Sequence, residues 1–288
     1  MKYISHLTVI CLAVASIAIA KAEAEPLSEL AKHTHYHGIA FARSGSSTLL
    51  LATHHGIFAV DKTGNATQVS VTQDYMGFSA NWDDPLIYFA SGHPQAGGNS
   101  GSLKSVDGGA TWNKLSDGAG RLVDFHQMDV SLIDPKTIYG GYGVMQVSHD
   151  GGQNWVKTGP LPDKLISIAA SSVSVDRIYA AAQTGLLVSS DSGGNWKPLA
   201  FADEVVSLVR TGSKGELLAF VLGKGLMQAS EVEPASWKSL SNNFGEAIVL
   251  NLAINRSDAS WLALTTQDNA ILESHDGGAN WAPFGKQP

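Results

Sequence analysis

The sequence predicts an all-β protein with the six-bladed β-propeller fold. A short turn motif recurs along the chain, and each repeat unit contains signals for four short strands. From Asp107 through Asp150 and Asp191 to Asp276, the steps are 43, 41 and 85 residues, and the last is a double step. Four-stranded units of this length are typical of propeller blades, which protect their strand edges by closing into a ring.

The repeated motif reads Ser-x-Asp-x-Gly-x-x-Trp. Clear copies run from Ser105 to Trp112, Ser148 to Trp155, Ser189 to Trp196 and Ser274 to Trp281. A decayed copy between Ser230 and Trp237 has Val232 in place of the aspartate, and a weaker first copy surrounds Asp61. Six units therefore cover residues 36–285, with seven blades as the alternative, and we expect residues 25–288 to form one propeller domain. The Ser and Asp side chains are expected to bond back to a tight turn, which is a structural role.

This motif resembles the repeat of the BNR/Asp-box propellers, a group that includes sialidases, sortilin-type receptors and photosystem assembly factors of the Ycf48 type. The resemblance implies the propeller fold and says little about function. The N-terminal half also resembles bacterial exported proteins that are labelled glycosyl hydrolases. The strings that carry this second resemblance lie at residues 35–38, 52–56, 75–78, 91–94 and 124–128.

The N-terminal segment has the layout of a secretory signal. An apolar run from Leu7 to Ala20 is followed by alternating alanines, which predicts cleavage after Ala22 or Ala24 and a signal peptide at residues 1–24. We therefore expect a periplasmic or secreted protein. The apolar run is too short for a bilayer span, and no later stretch reaches the ~20 apolar residues that a helix needs. Cys11, the single cysteine, lies inside the signal, so we expect a mature chain without disulfides.

Charge and composition argue against two classes of function. The formal net charge of −7 disfavours nucleic acid as a partner, because phosphate contacts need a basic surface. A sialidase needs three arginines around its substrate carboxylate and carries an Arg-Ile-Pro motif. Neither such a triad nor the motif is recognisable among the five arginines of this chain. We therefore expect no cleavage of sialosides. Other glycosidases need two facing carboxyl groups ~5 to 9.5 Å apart, for which Asp74 and Asp124 are the best pair. No residue is assigned a catalytic role, and the sequence favours a protein that is not an enzyme.

Histidines are concentrated in the first three units. Of the ten histidines, seven lie between His33 and His126. The first strands of units one to three align as residues 35–39, 74–78 and 124–128, and the corresponding positions of units four to six carry Ser167, Ser207 and Asn251. Because side chains alternate along a strand, His35 and His37 share one side of their strand. The same alternation pairs Asp74 with Met76, and His126 with Met128.

A second histidine group lies between the second and third strands of units one and two. In a propeller these turns and the start of each first strand lie at the same end of the central channel. We therefore predict one metal site at the channel mouth, with Asp74 and Asp124 orienting the imidazoles. The predicted ligands are His35, His37, His54, His55, His93, His126, Met76 and Met128. Imidazole with thioether suits copper, with Met favouring Cu(I), and a subset of nitrogen and oxygen ligands would suit zinc.

The sequence thus favours an exported metal-binding or chaperone-like propeller whose partner is a metal ion. Two alternatives stay open. One is a glycoside hydrolase, which the label of similar proteins implies, and the other is a scaffold that binds another exported protein.

Overall fold

The computed structural model describes residues 23–42 and 47–285. The predicted signal peptide lies outside these residues except for Glu23 and Ala24. Within the described part of the chain, one short helix accompanies 25 strands. No helix in this part is long and apolar enough to cross a membrane.

The first three blades contain the short helix and thirteen strands. In chain order, the elements are β1 (Glu25–Pro26), α1 (Leu27–His33), β2 (Tyr36–Phe41), β3 (Leu49–Thr53), β4 (Gly56–Val60), β5 (Asn65–Gln68), β6 (Asp74–Ala80), β7 (Tyr88–His93), β8 (Ser102–Ser105), β9 (Asn113–Ser116), β10 (Gln127–Val130), β11 (Ile138–Tyr142), β12 (Val144–Ser148) and β13 (Val156–Pro160).

The last three blades contain twelve strands. They are β14 (Leu165–Ala170), β15 (Ile178–Ala182), β16 (Gly185–Ser189), β17 (Lys197–Ala200), β18 (Val206–Thr211), β19 (Glu216–Val221), β20 (Gly225–Ser230), β21 (Lys238–Ser241), β22 (Val249–Ile254), β23 (Leu262–Thr266), β24 (Ile271–Ser274) and β25 (Ala282–Pro283).

These strands form six antiparallel sheets, which confirms the predicted six blades. Five sheets have four strands that follow one another in chain order, and the sheet of blade one gains β1 as a fifth strand beside β5. The first strand of each blade lines the central channel. The core lies between neighbouring blades: Ala40 and Leu50 of blade one, for example, pack with Tyr75 and Tyr88 of blade two.

The ring closes where blade six meets blade one. Leu30 of α1 is fully buried in a cluster that also contains Phe41 of blade one and Ile271 of blade six. The Asn269 side chain donates to the carbonyls of Ala31 and Thr34, both at 3.0 Å. The sequence analysis did not predict α1, whose seven residues carry an acidic side chain in the first turn and basic ones in the last. The helix therefore helps to join the two ends of the ring.

The Asp-box turns have the predicted local structure. In blade four, the buried Ser189 Oγ accepts a hydrogen bond from the Gly193 N–H at 2.9 Å and donates to Asp191 Oδ1 at 2.7 Å. The Asp191 carboxylate also accepts from the backbone and side chain of Asn195. These hydrogen bonds, with that of the Asn195 side chain the largest contribution, lower the pKa of Asp191 to about 2. The box is thus a self-contained polar turn.

The decayed box of blade five makes a different connection. Glu231 is 1% exposed, and its carboxylate accepts hydrogen bonds from the Ser172 N–H at 2.9 Å and from the Ser171 hydroxyl at 2.5 Å. Both serines belong to blade four, so this turn also ties two blades together.

The boxes offer a matched test of their structural role. Ser189→Ala should lower the free energy of unfolding by about 1–3 kcal/mol, because it leaves the buried Gly193 N–H without an acceptor. Ser190→Ala, at the exposed neighbouring position, should change it by less than about 0.5 kcal/mol. Urea unfolding followed by tryptophan fluorescence measures both, and equal effects of the two substitutions would contradict the assignment.

Candidate metal site at the channel mouth

The register of the first strands places equivalent residues at the same depth of the channel. In blades one, four, five and six the pairing skips one residue at the same point, as between Tyr36 and Gly38 in blade one. Alignment on this bulge in these four blades, and on the sequence alignment of the first strands in blades two and three, defines a mouth layer and, three residues further, a floor layer. The mouth layer consists of His37, Met76, His126, Ile166, Ser207 and Leu250. The floor layer consists of Ala40, Ser79, Asp129, Ala169, Arg210 and Ala253.

This register corrects one detail of the sequence alignment. Ser207 occupies the expected position, whereas Ser167 and Asn251 lie one residue further along their strands, where Gly38 lies in blade one. Ile166 and Leu250 occupy the positions equivalent to His37. The histidine and methionine side chains of the mouth layer, which are its predicted metal ligands, therefore lie in blades one to three.

The first cluster of ligand atoms, which we call trio one, joins blades one and two. It consists of His37, His54 and Asp74, whose ligand atoms all lie within 4.8 Å of one another. His37 Nε2 lies 3.2 Å from His54 Nδ1, and His54 Nδ1 lies 3.1 Å from Asp74 Oδ2. His37 Nε2 lies 3.5 Å from Asp74 Oδ1. A tetrahedral zinc ion with bonds of ~2.0 to 2.1 Å needs its ligand atoms about 3.3 Å apart. The three distances of trio one, which involve both oxygens of the Asp74 carboxylate, bracket this value. The three side chains are therefore spaced as metal ligands.

The hydrogen-bonding potential of trio one is incompletely used. Asp74 Oδ1 is buried and has no hydrogen-bond partner among the described residues. A hydrogen on one imidazole nitrogen can form a hydrogen bond across only one of these three contacts, whereas a metal ion at the centre can bind all three side chains. Burial, followed by the neighbouring His54, lowers the pKa of His37 to about 4. His37 is thus neutral near pH 7, as a metal ligand must be.

The second cluster, trio two, joins blades two and three. It consists of His93, Asp124 and His126, which also have ligand atoms within 4.8 Å of one another. Asp124 Oδ2 lies 3.1 Å from His93 Nε2 and 2.6 Å from His126 Nε2. The Asp124 side chain is 4% exposed, and its Oδ1 is a second buried oxygen without a hydrogen-bond partner in the described chain. The hydrogen bond from His126 to Asp124 raises the pKa of His126.

The orientation of His93 is fixed by a backbone carbonyl. Its Nδ1 lies 2.8 Å from Gly98 O, and because a carbonyl only accepts, Nδ1 carries the hydrogen. In the neutral ring, the lone pair of Nε2 then faces the Asp124 carboxylate, where it is available to a metal ion. Metal-ligating histidines commonly have such a carbonyl partner on the other nitrogen.

The remaining predicted ligands lie around the trios. His35 is exposed, and its ring packs edge-on against His54 with the centroids 6.0 Å apart. His55 turns away towards α1, where its Nε2 lies 3.1 Å from His33 O. Met76 and Met128 line the channel, and Met128 is also part of the blade-three core. The structure thus places four of the eight predicted ligands in two trios and leaves the other four outside them. Asp74 and Asp124 lie at ligand distance instead of only behind the imidazoles.

A charged pair crosses the floor of the channel, which the sequence analysis missed. Arg210 Nη1 of blade five donates to Asp129 Oδ1 of blade three at 2.9 Å. Asp129 also accepts from Ser79 Oγ at 3.0 Å and from the Ala170 N–H at 2.9 Å. The alanines of the floor layer leave room for this arginine to reach across blade four. Only the bulge register shows that Arg210 and Asp129 share a level, so no motif in the sequence indicated the pair.

The trios predict different titration behaviour for two histidines of the metal-free protein. His37 should stay neutral down to pH about 4, because its charged form is desolvated and faces other imidazoles. His126 should be protonated to a higher pH than a free histidine, because its charged form donates to Asp124. Two-dimensional ¹H–¹⁵N NMR of the imidazoles across pH 4 to 8 measures both values. A charged His37 at pH 6 would contradict this description of trio one.

Comparisons with known proteins agree with this fold. The family model for the BNR/Asp-box repeat matches residues 146–157, which contain the box of blade three. No curated protein sequence matches the chain.

Three solved structures illustrate the range of similar folds. The GH74 enzyme of Niastella koreensis superposes with a TM-score of 0.64 at 13% identity, over 87% of this chain and 45% of the enzyme. This chain therefore spans less than half of that enzyme. A gluconolactonase from Xanthomonas campestris gives a TM-score of 0.64 at 12% identity, covering 84% and 86% of the two chains. YCF48 bound to a D1 peptide gives 0.56 at 16% identity, covering 96% and 90%. At these identities the likeness shows the fold alone, and the chain is a six-bladed β-propeller that carries a BNR/Asp-box repeat.

Proposed function

We propose that this protein is an exported metal-binding propeller with two metal sites at the mouth of its channel. The observation that supports this most directly is the spacing of trio one. Two imidazole nitrogens lie 3.2 Å apart, and each lies 3.1 to 3.5 Å from one of the two oxygens of the Asp74 carboxylate, close to the separation of ligands that share a transition-metal ion. Trio two adds a second cluster of the same composition beside it.

The ligand atoms favour a divalent transition metal. Both trios combine imidazole nitrogen with carboxylate oxygen, a set that binds Cu²⁺ and Zn²⁺. Copper is our first choice, because the Irving–Williams order gives Cu²⁺ the higher affinity at a given nitrogen and oxygen site. Zinc is the alternative. The thioethers of Met76 and Met128 in the same channel would add affinity for reduced copper.

Access to the mouth supports a role in carrying or buffering metal. The side chains of His54 and His126 are 42% and 51% exposed, so an ion at either trio can exchange with solvent or with a partner protein. Export is part of the proposal through the signal-like residues 1–24. A metal carrier outside the cytoplasm is therefore the function that these residues support best.

Two other functions rest on similarity of fold. Glycoside hydrolysis has the structural likeness to GH74 enzymes, and peptide binding has the likeness to YCF48. Fold likeness does not transfer a site. In this chain, the carboxylates of Asp74 and Asp124 are each contacted by two imidazoles, which is the arrangement of a ligand cluster.

The two-site proposal predicts that the protein binds two metal ions and that a substitution in either trio removes one of them. The purified protein should bind up to two equivalents of Cu²⁺ or Zn²⁺, measured by isothermal titration calorimetry and by elemental analysis after desalting. His37→Ala and His126→Ala should each remove one equivalent, and the double variant should bind none. His149→Ala and His275→Ala change histidines of the Asp boxes and should leave both equivalents in place. Full binding by the double variant would contradict the proposal.

The two trios should also release metal at different pH values. Protons compete with metal for imidazole nitrogens, and the raised pKa of His126 makes its proton harder to displace than that of His37. As pH falls from 8 to 5, trio two should lose its ion first, and trio one should lose its ion at lower pH. Metal titrations of the His37→Ala and His126→Ala variants isolate each site. The opposite order of release would show that these histidines do not control affinity.

A further inference from the structure

The cavity beneath the two trios ends at the charged pair of Arg210 and Asp129. This pair takes no part in either proposed metal site. The cavity has a volume of about 240 Å³ and is lined by His37 of trio one, His126 of trio two and Arg210 of the floor layer. Its volume suits a small organic molecule. Any molecule that fills it would face both metal sites at one end and the guanidinium at the other.

The guanidinium at the floor retains hydrogen-bonding capacity. Arginine has five N–H donors, and the hydrogen bond that Arg210 makes within the described chain uses Nη1 towards Asp129. The Arg210 side chain is 25% exposed, while the Asp129 side chain is 3% exposed. The remaining donors of Arg210 are thus available to the cavity, and the carboxylate that orients the arginine is shielded from it.

Metal binding reverses the charge of the channel. With neutral histidines, Asp74, Asp124 and Asp129 contribute three negative charges and Arg210 contributes one positive charge, which leaves a net charge of −2. Two divalent ions change this to +2. The empty channel therefore repels anions, and the metal-loaded channel attracts them.

The two ends of the cavity are separated by a fixed distance along the strands. The mouth and floor layers lie three residues apart, which corresponds to about 10 Å at ~3.3 Å per residue. Ile39, Phe78 and Met128 also line the cavity between the two layers. A ligand that fits has a polar group at each end.

We propose that the metal-loaded cavity binds a small organic dicarboxylate. One carboxylate takes a coordination position at a metal ion, since three protein ligands leave a position open at each trio. The second carboxylate accepts hydrogen bonds from Arg210, whose planar donors match a carboxylate. This inference rests on the proposed metal function and adds the class of ligand that the loaded site captures.

A matched pair of probes tests the two-ended fit. Adipate and hexanoate have the same chain length, and only adipate has the second carboxylate. Calorimetry on the zinc-loaded protein should show adipate binding at least tenfold tighter than hexanoate, and the zinc-free protein should bind neither. Equal affinities for the two acids, or equal adipate binding with and without zinc, would overturn the proposal.

Variants at the floor identify the second anchor. Asp129→Asn combined with Arg210→Gln replaces the ion pair by a neutral pair, and it should reduce adipate affinity at least tenfold, to the level of hexanoate. Arg210→Lys, which keeps the charge beside Asp129, should reduce adipate affinity with the fold retained. If circular dichroism shows that the double variant is unfolded, the Arg210→Lys variant alone tests the role of the arginine. Unchanged adipate affinity in a folded variant would overturn the role of Arg210.

Measuring the zinc content separates a failure of the proposed metal function from a failure of the ligand inference. Elemental analysis of each sample before and after adipate addition shows whether both ions remain bound. If the wild-type protein holds no metal, the proposed function is wrong and the ligand inference falls with it. If the protein holds two ions and does not distinguish adipate from hexanoate, the metal function stands and the ligand inference is wrong.

Discussion

The candidate site depends on the common register of six strands around one channel. Each blade starts with a strand at the channel wall, and blades one, four, five and six share a bulge that keeps equivalent residues at equal depth. Because the ring is closed, residues that are 17 to 81 positions apart in sequence meet around the channel. Both trios and the pair of Asp129 and Arg210 result from this constraint. A one-residue slip in one blade would turn its ligand towards a neighbouring blade.

Two glycines allow close backbone approaches beside the trios, one between blades two and three and one within blade two. Gly77 has φ +52°, and a Cβ there would lie 2.2 Å from the carbonyl oxygen of Phe125. Gly92 has φ +124°, and its Cβ would lie 2.2 Å from the carbonyl oxygen of Asp74. Both positions exclude any side chain, because the conformation and the space are unsuitable. These two glycines thus form part of the support for Asp74 and Asp124.

Sequence reasoning predicted the fold better than the detail of the site. The box motif repeats in the sequence itself, so six blades follow from counting Asp107, Asp150 and their equivalents. The histidines of blades one to three could also be placed at one end of the channel. Their division into two trios depends on the rotation of single side chains, such as the turn of His55 towards α1, which strand alternation does not describe. The Arg210–Asp129 pair needed the bulge register, and a bulge has no distinctive signature in this sequence.

The way in which the ring closes sets the order in which the chain can fold. Asn269 reaches residues 238 and 235 positions earlier, at Ala31 and Thr34. Each blade is a local unit that can form from its own consecutive strands, but the contact between blade six and α1 needs both ends of the chain at once. Loop closure over such a separation is slow compared with local pairing. During synthesis, therefore, five blades can assemble in succession while the first helix has only its contacts within blade one, and the ring becomes cooperative only when the last blade emerges.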